Sequence, residues 1–165
     1  MEEYKVTNQK DHPIAIGVIG LATTFKKLKY SWDNKDAHAL NKQIFANIYY
    51  AALEESCDLA RIHGPYEGYY GSPASNSLLQ YDLWDVEPVK DLDWISLKQK
   101  IARYGLRNSL LVGPMPTAST FQCVGTGYSK EPFPDEANII LRETTKGSFI
   151  SIERELAENL LEQNL

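Results

Sequence analysis

The strongest constraint on the fold is a long run of apolar residues at helical spacing. Four of them recur every four residues, which places them on one face of a helix. They are Leu40, Ile44, Ile48 and Ala52. The polar side chains of Asp33, Asn34 and Asp36 supply oxygens for an N-cap, and the sequence HGP at residues 63–65 is typical of a helix end. The pattern therefore predicts one long amphipathic helix between these signals.

Shorter patterns on both sides alternate between strand and helix. We expect a buried strand or a tight strand-to-helix turn at residues 14–22, an ordered tyrosine-rich loop at 64–77, a helix at 94–104, a buried strand at 109–112, strands near 139–141 and 149–152, and a final helix from 152. The apolar face of the 94–104 helix is assigned to Ile95, Leu97, Ile101 and Ala102. Strands separated by helices predict an α/β layer arrangement.

Composition excludes several classes of protein. A chain of 165 residues is long enough for a single domain with a real core. Its formal net charge is −5 without a basic run, which argues against non-specific nucleic-acid binding. The polar, acidic start is not a signal peptide, and the apolar stretches are too short for a bilayer. Two cysteines make no disulfide framework, so we expect a reducing, cytoplasmic compartment.

The segment GPMPTASTFQ, residues 113–122, places short hydroxyl side chains directly after an apolar run. A strand, a tight turn and a helix start of small residues would point free backbone N–H groups outward, and the helix dipole would favour an anion there. Thr117, Ser119 and Thr120 can add hydroxyl donors, and Ala118 lets an anion approach. The residues alone favour the simpler interpretation that Thr117 caps the helix.

A family resemblance favours the anion. The sequence RNSLLVGPMPTAST, residues 107–120, resembles the substrate-phosphate loop in the large chain of class I ribonucleotide reductases. HPIAIGVIGLATTF at 12–25, the stretch at 40–84 and LKQKIARYGLRNSLL at 97–111 are similar to the same family in the same order. The similarity is loosest from residue 127 onward, although Glu131-Pro132 and Asn138-Ile139 stay in register.

The resemblance implies that residues 1–165 form a segment of a ten-stranded α/β barrel that reduces ribonucleoside diphosphates. It assigns the substrate diphosphate to Thr117, Ala118, Ser119 and Thr120. It implies two protein partners, the rest of the large subunit and a small subunit, and no nucleic acid or membrane. The resemblance implies no cofactor in this segment, since the full enzyme relies on a radical from its small subunit and on allosteric nucleotides. We expect no metal, because His12, His38 and His63 show no spacing typical of metal ligands.

The resemblance also implies that the catalytic residues lie in other segments of the family, so none is assigned here and the chain alone is expected to be inactive. The alternative is a truncated, non-catalytic relative that acts as a binding or regulatory module for reductase subunits. Cys57 and Cys123 are interpreted as buried small apolar residues, and the pair Tyr49-Tyr50 as part of the long helix. The remaining candidates are assigned to surface or turn positions: His12, His38, His63 and the pair Glu54-Glu55.

Overall fold

Helices account for most of the structure. The computed structural model describes residues 2–117, 120, 139–144, 147–152 and 154–163. Its helices are α1 (Glu2–Asp11), α2 (Leu21–Lys27), α3 (Lys35–His63), α4 (Gln80–Leu83), α5 (Trp94–Tyr104) and α6 (Arg154–Glu162), with a 3₁₀ turn at Ala74–Asn76; its strands are β1 (Ile139–Thr144) and β2 (Gly147–Ile152). None of the described helices is long and apolar enough to cross a membrane.

Helix α3 confirms the long predicted helix and both of its ends. The side-chain oxygen of Asn34 accepts a hydrogen bond from the backbone N–H of Asp36 at 2.7 Å, as an N-cap does. At the other end, Gly64 takes a positive φ of 81° directly after His63. Only a residue without a side chain adopts this conformation at no steric cost, so the glycine ends the helix.

The contacts within the chain divide it into two compact units, of which the first comprises Met1–Gly17 and Ala39–Gly113. Its core joins α3 and α5 to the segment between them. The buried members are Ala52, Leu53, Cys57, Tyr66, Tyr69, Leu79, Trp94, Leu97, Ile101, Leu106 and Leu111. The phenol of Tyr69 donates to the carbonyl of Ile101 at 3.1 Å inside this core. Because Tyr66 and Tyr69 are core residues, the loop at 64–77 is part of the packed structure, as predicted.

Helix α5 has the predicted bounds, and half of its predicted apolar face is buried. Trp94, Leu97 and Ile101 are buried, whereas Ile95 is 74% exposed and Ala102 is also exposed. The spacing explains the error. Residues 94, 97 and 101 lie on one stripe of the helix, whereas residues 95 and 102, which are seven positions apart, lie on the neighbouring stripe. The indole N–H of Trp94 donates to the carbonyl of Val89 at 2.9 Å, which fixes the ring on the core side.

The strand or strand-to-helix turn predicted at 14–22 and the strand predicted at 109–112 meet in one short parallel pairing, and the first segment turns into α2 at Gly20. The pairing is centred on a bridge between Ile16 and Val112. The prediction that both are buried is wrong in part: Leu111 is buried, but Ile14, Ile16 and Leu110 are exposed, the last by 64%. Side chains alternate between the two faces of a strand, so Leu111 turns to the core and Leu110 turns away.

The second unit comprises Val18–His38 and Pro114–Leu165. Helix α2 follows Gly20, which has a φ of 78°. Its buried Phe25 packs against Trp32, with the rings tilted by 57° and their centroids 5.4 Å apart. Strands β1 and β2 form an antiparallel hairpin in which Ile139 faces Ile152. The hairpin and α6 confirm the predictions for the end of the chain. The described residues contain no closed barrel, and the assignment of residues 1–165 to a single domain segment stays a prediction.

Candidate anion-binding loop

Three backbone hydrogen bonds hold the strand that precedes the loop. Ile14 N–H donates to Leu110 O at 3.0 Å, Ile16 N–H to Leu111 O at 2.9 Å, and Gly113 N–H to Ile16 O at 3.0 Å. A Cβ atom at Gly113 would lie 3.0 Å from the Cβ of Ala15, so a side chain there would require the neighbouring strand to move by a few tenths of an ångström. The segment that follows begins at Pro114, and proline fixes its own φ.

Thr117 carries two energetic costs at once. Its φ is +53°, in the left-handed region that is unfavourable for a β-branched residue. Its hydroxyl oxygen Oγ1 is buried and has no hydrogen-bond partner among the residues that the structure describes. A strained backbone and an unsatisfied buried polar atom are each uncommon in native structures and concentrate at functional sites. Both features are therefore consistent with a group that completes its hydrogen bonds with a ligand.

The other three predicted ligand residues are only partly described. Thr120 is helical and exposed. Ala118 and Ser119 lie outside the described residues, as does residue Cys123. The structure thus describes Thr117 and Thr120, and the assignment of all four residues to a diphosphate stays a prediction.

A polar cluster that the sequence did not reveal lies before the strand. The Ser56 hydroxyl of α3 donates to Asn108 Oδ1 at 2.9 Å and accepts from the backbone N–H groups of Arg107 at 3.1 Å and Asn108 at 3.0 Å. Asn108 Nδ2 donates to the carbonyl of His12 at 2.8 Å. A serine in the middle of a helix gives no sequence signal for such contacts, because its partners are more than fifty residues away.

Arg107 stabilises the end of α3. Its guanidinium Nη1 donates to the carbonyl of Gly64 at 3.2 Å and lies 3.5 Å from that of His63. A cation near helix C-terminal carbonyls is favourable because these groups carry partial negative charge. Arg107 therefore stabilises the fold of the first unit.

The surroundings of the other candidate residues indicate structural roles. Cys57 is fully buried, and burial raises the pKa of its thiol, which disfavours the reactive thiolate. Tyr49 is half-buried on α3, and its hydroxyl accepts from the backbone N–H of Gln80 at 3.1 Å. Glu54 and Glu55 are exposed, as predicted for a solvated helix face. The described residues include no group of three His, Cys, Asp or Glu side chains placed to hold a metal ion.

Comparison with known proteins gives one consistent result. The sequence profile of the family described as "Ribonucleotide reductase, barrel domain" matches residues 1–165. The chain is 46% identical over 165 residues to the ribonucleoside-diphosphate reductase large subunit of Caenorhabditis elegans, covering 100% of the chain and 21% of that relative. It is 48% identical over 166 residues to the large subunit of Plasmodium falciparum (isolate Dd2), covering 100% of the chain and 20% of that relative. It is 50% identical over 163 residues to the large subunit of Variola virus, covering 99% of the chain and 21% of that relative. The chain spans about a fifth of the length of these curated relatives.

Proposed function

The chain belongs to the ribonucleotide reductase family, as part of its barrel domain, and from this membership we propose that it holds the diphosphate of a ribonucleoside diphosphate substrate. The proposed ligands are Thr117, Ala118, Ser119 and Thr120. The family is that of an oxidoreductase that makes deoxyribonucleotides. In this proposal the segment contributes substrate binding, and the chemistry takes place on residues of other segments.

The observation that carries the proposal is the buried, unpartnered hydroxyl of Thr117. A buried hydroxyl without a partner destabilises the folded protein by about 1–3 kcal/mol. A phosphate oxygen at this position would accept its hydrogen bond. Backbone N–H groups at the helix start that includes Thr120 would add donors and partial positive charge, so no lysine is needed.

We also propose the family's wider architecture and partners for this chain. The parallel pairing of residues 14–16 with 110–113 would be two neighbouring strands of the ten-stranded α/β barrel. Parallel strands are normally covered on both faces, whereas Ile14, Ile16 and Leu110 are exposed in this chain. The rest of the large subunit would cover them. As the resemblance implies, the radical would come from the small subunit and this segment would bind no cofactor of its own.

A titration with pyrophosphate tests the loop directly. The backbone amide NMR signals of residues 117–120 are followed in the full 165-residue chain. We expect all four to shift, with millimolar affinity, because a few charge-assisted hydrogen bonds of about 1.5–3 kcal/mol each are offset by an association cost of at least ~4 kcal/mol. A matched titration with sodium chloride separates specific binding from ionic strength.

Two variants distinguish an anion cradle from a plain helix cap. Ala118→Leu should abolish the pyrophosphate shifts, since its side chain blocks approach to the backbone. Thr120→Val should only weaken binding, because the amide of residue 120 remains. If none of the four amides responds in the wild-type chain, the loop is a cap and the proposed function is wrong.

A further inference from the structure

We propose that an open groove at the start of α5 binds a peptide segment of a partner protein that combines basic with apolar side chains. The groove has a volume of about 680 Å³ and is lined by the consecutive residues 87–95. All of them belong to the first compact unit. The inference does not depend on the proposed diphosphate site, because the groove and the loop share no residue.

Hydrogen bonds hold the groove in its shape before any ligand binds. The indole N–H of the buried Trp94 donates to Val89 O at 2.9 Å, and its backbone N–H donates to Leu92 O at 3.0 Å. From α3, Lys42 Nζ donates to the carbonyl of Glu87 at 2.7 Å. Because these bonds order the segment between α4 and α5 in advance, a ligand does not have to order it on binding.

The groove offers aliphatic surface to a ligand. Ile95 is 74% exposed, and Val89 and Leu92 are half-buried. The ring of Trp94 is buried and packs edge-on against Tyr81, with centroids 5.0 Å apart, so it presents no open aromatic face. An aromatic cage for a small organic cation is therefore not formed here. The lining instead fits aliphatic side chains, whose burial is favourable.

The charged residues that line the groove are mostly acidic. Glu87, Asp91 and Asp93 are exposed, and the basic residue among the lining residues is Lys90. The phosphates of a nucleic acid or of an anionic membrane surface are repelled by such a surface, whereas lysine and arginine side chains are attracted. Charge complementarity therefore identifies the occupant as a basic polypeptide.

Exposed apolar residues precede the groove along the chain. Leu83, Trp84 and Val86 are all exposed, Trp84 by 70%. Val86 adjoins Glu87 at the start of the groove, and its backbone N–H donates to Tyr81 O at 2.9 Å. Exposed apolar surface with a tryptophan is typical of protein interaction sites. A peptide longer than the groove would have this further surface to cover.

The test titrates the full chain with a capped octapeptide of alternating lysine and leucine. The backbone amide NMR signals of Val89, Lys90 and Leu92 report binding. The same octapeptide with glutamate in place of lysine is the control ligand. We expect the basic peptide to shift these signals and the acidic peptide to leave them unchanged, since only the first complements the carboxylates. Added salt should weaken the binding.

Two variants, each with a matched control, separate the apolar from the charged contribution. Ile95→Ala should weaken binding of the basic peptide by about tenfold. Ile62→Ala removes a similarly exposed isoleucine from α3, outside the groove, and should keep the wild-type affinity.

Asp91→Asn should weaken the same binding by about threefold, as expected for one exposed ion pair. Glu55→Gln removes the same charge from an exposed position on α3 and should leave the affinity unchanged. All four substitutions replace exposed side chains, so the variants should fold like the wild type.

The absence of shifts with the basic peptide, or equal affinity for the acidic one, would overturn the proposal. Equal affinity of the wild type and Ile95→Ala would also overturn it, because the peptide would then bind elsewhere on the chain. Signals that shift with protein concentration in the absence of peptide would assign the groove to a second copy of the chain instead. None of these outcomes bears on the pyrophosphate titration, which tests the diphosphate loop separately.

Discussion

Thr117 and Gly105 both have positive φ angles, and the two positions show opposite relations between residue and backbone. Gly105, at φ 79°, ends α5 where a Cβ atom would lie 2.8 Å from the Cβ of Pro65, so glycine fits both the conformation and the space. Thr117, at φ 53°, has a β-branched side chain in an unfavourable conformation with a buried hydroxyl left unpaired. Gly105 therefore serves stability, whereas the strained Thr117 is consistent with a binding role.

The role of Gly105 predicts a large loss of stability in Gly105→Ala. Gly105 combines its positive φ with a ψ of −168°, a region that only glycine adopts readily and that costs an alanine on the order of 1–3 kcal/mol. Overpacking against Pro65 adds about 1–3 kcal/mol. Gly64→Ala is the matched control: its φ is also positive, at 81°, but a Cβ there meets nothing within 4 Å. Urea unfolding should show a clearly larger loss for Gly105→Ala. Equal losses in the two variants would mean that the contact with Pro65 has no energetic weight.

At the scale of elements, α5 shows how local chemistry fixes a helix start. Asp93 Oδ1 accepts from Ser96 N–H at 3.0 Å, and Oδ2 accepts from the Ser96 hydroxyl at 2.6 Å. The hydrogen bond from the Ser96 side chain, followed by that from its backbone, lowers the pKa of Asp93 below its usual value. The ionised carboxylate therefore stabilises the start of the helix that carries Trp94 into the core.

This pKa direction predicts a pH-dependent effect of Asp93→Asn. Because the folded-state pKa of Asp93 is lowered, its charge contributes stability above the unfolded-state pKa of about 3.9, and the contribution is lost as pH falls through the folded-state pKa. The variant should melt below the wild type at pH 7, and the difference should shrink in acid. Asp91→Asn, an exposed position in the preceding loop, is the control. A difference in melting temperature between variant and wild type that stays constant with pH would contradict the stabilising role of the charged Asp93 carboxylate.

Periodicity predicted α3 and α5 because both expose one face to solvent, and turn chemistry predicted the stops at Gly64 and Gly105. Periodicity misassigned Ile95, since the sequence of a helix with apolar residues on two adjacent stripes does not reveal which stripe contacts the core. It also treated the run containing Leu110 as fully buried, because a short apolar strand has no period that distinguishes its faces.

The candidate loop was open between a cap and an anion cradle on its residues alone, and the resemblance favoured the cradle. The strain and the orphan hydroxyl at Thr117 could not be predicted, because they depend on how the folded chain surrounds that residue. The Ser56–Asn108 contact was equally hidden: it joins residues 52 positions apart through polar atoms, and long-range polar contacts leave no periodic pattern.

At the scale of the whole molecule, the chain matches a reductase family but spans only about a fifth of the length of its relatives. The resemblance implies that the catalytic residues lie in other segments of the family. The described cysteine, Cys57, is buried with a raised thiol pKa and is unsuited to redox work.

We therefore predict that this chain alone forms no deoxynucleotide from a ribonucleoside diphosphate, even with a small subunit and a dithiol present. A chromatographic assay of the product measures this, with an intact large subunit of the family as the positive control. Product above background from the purified chain would show that it carries its own catalytic groups.

The most direct test of the anion-cradle account is thermal unfolding of the wild-type chain and Thr117→Val, each with and without pyrophosphate. Valine keeps the shape and backbone strain of threonine but removes the orphan hydroxyl. Without ligand, Thr117→Val should be more stable by about 1–3 kcal/mol, because an unsatisfied buried group is gone. At ten times the dissociation constant, pyrophosphate should stabilise the wild type by about 1.4 kcal/mol and the variant far less. A variant that is less stable without ligand, or that pyrophosphate stabilises equally, would contradict the account.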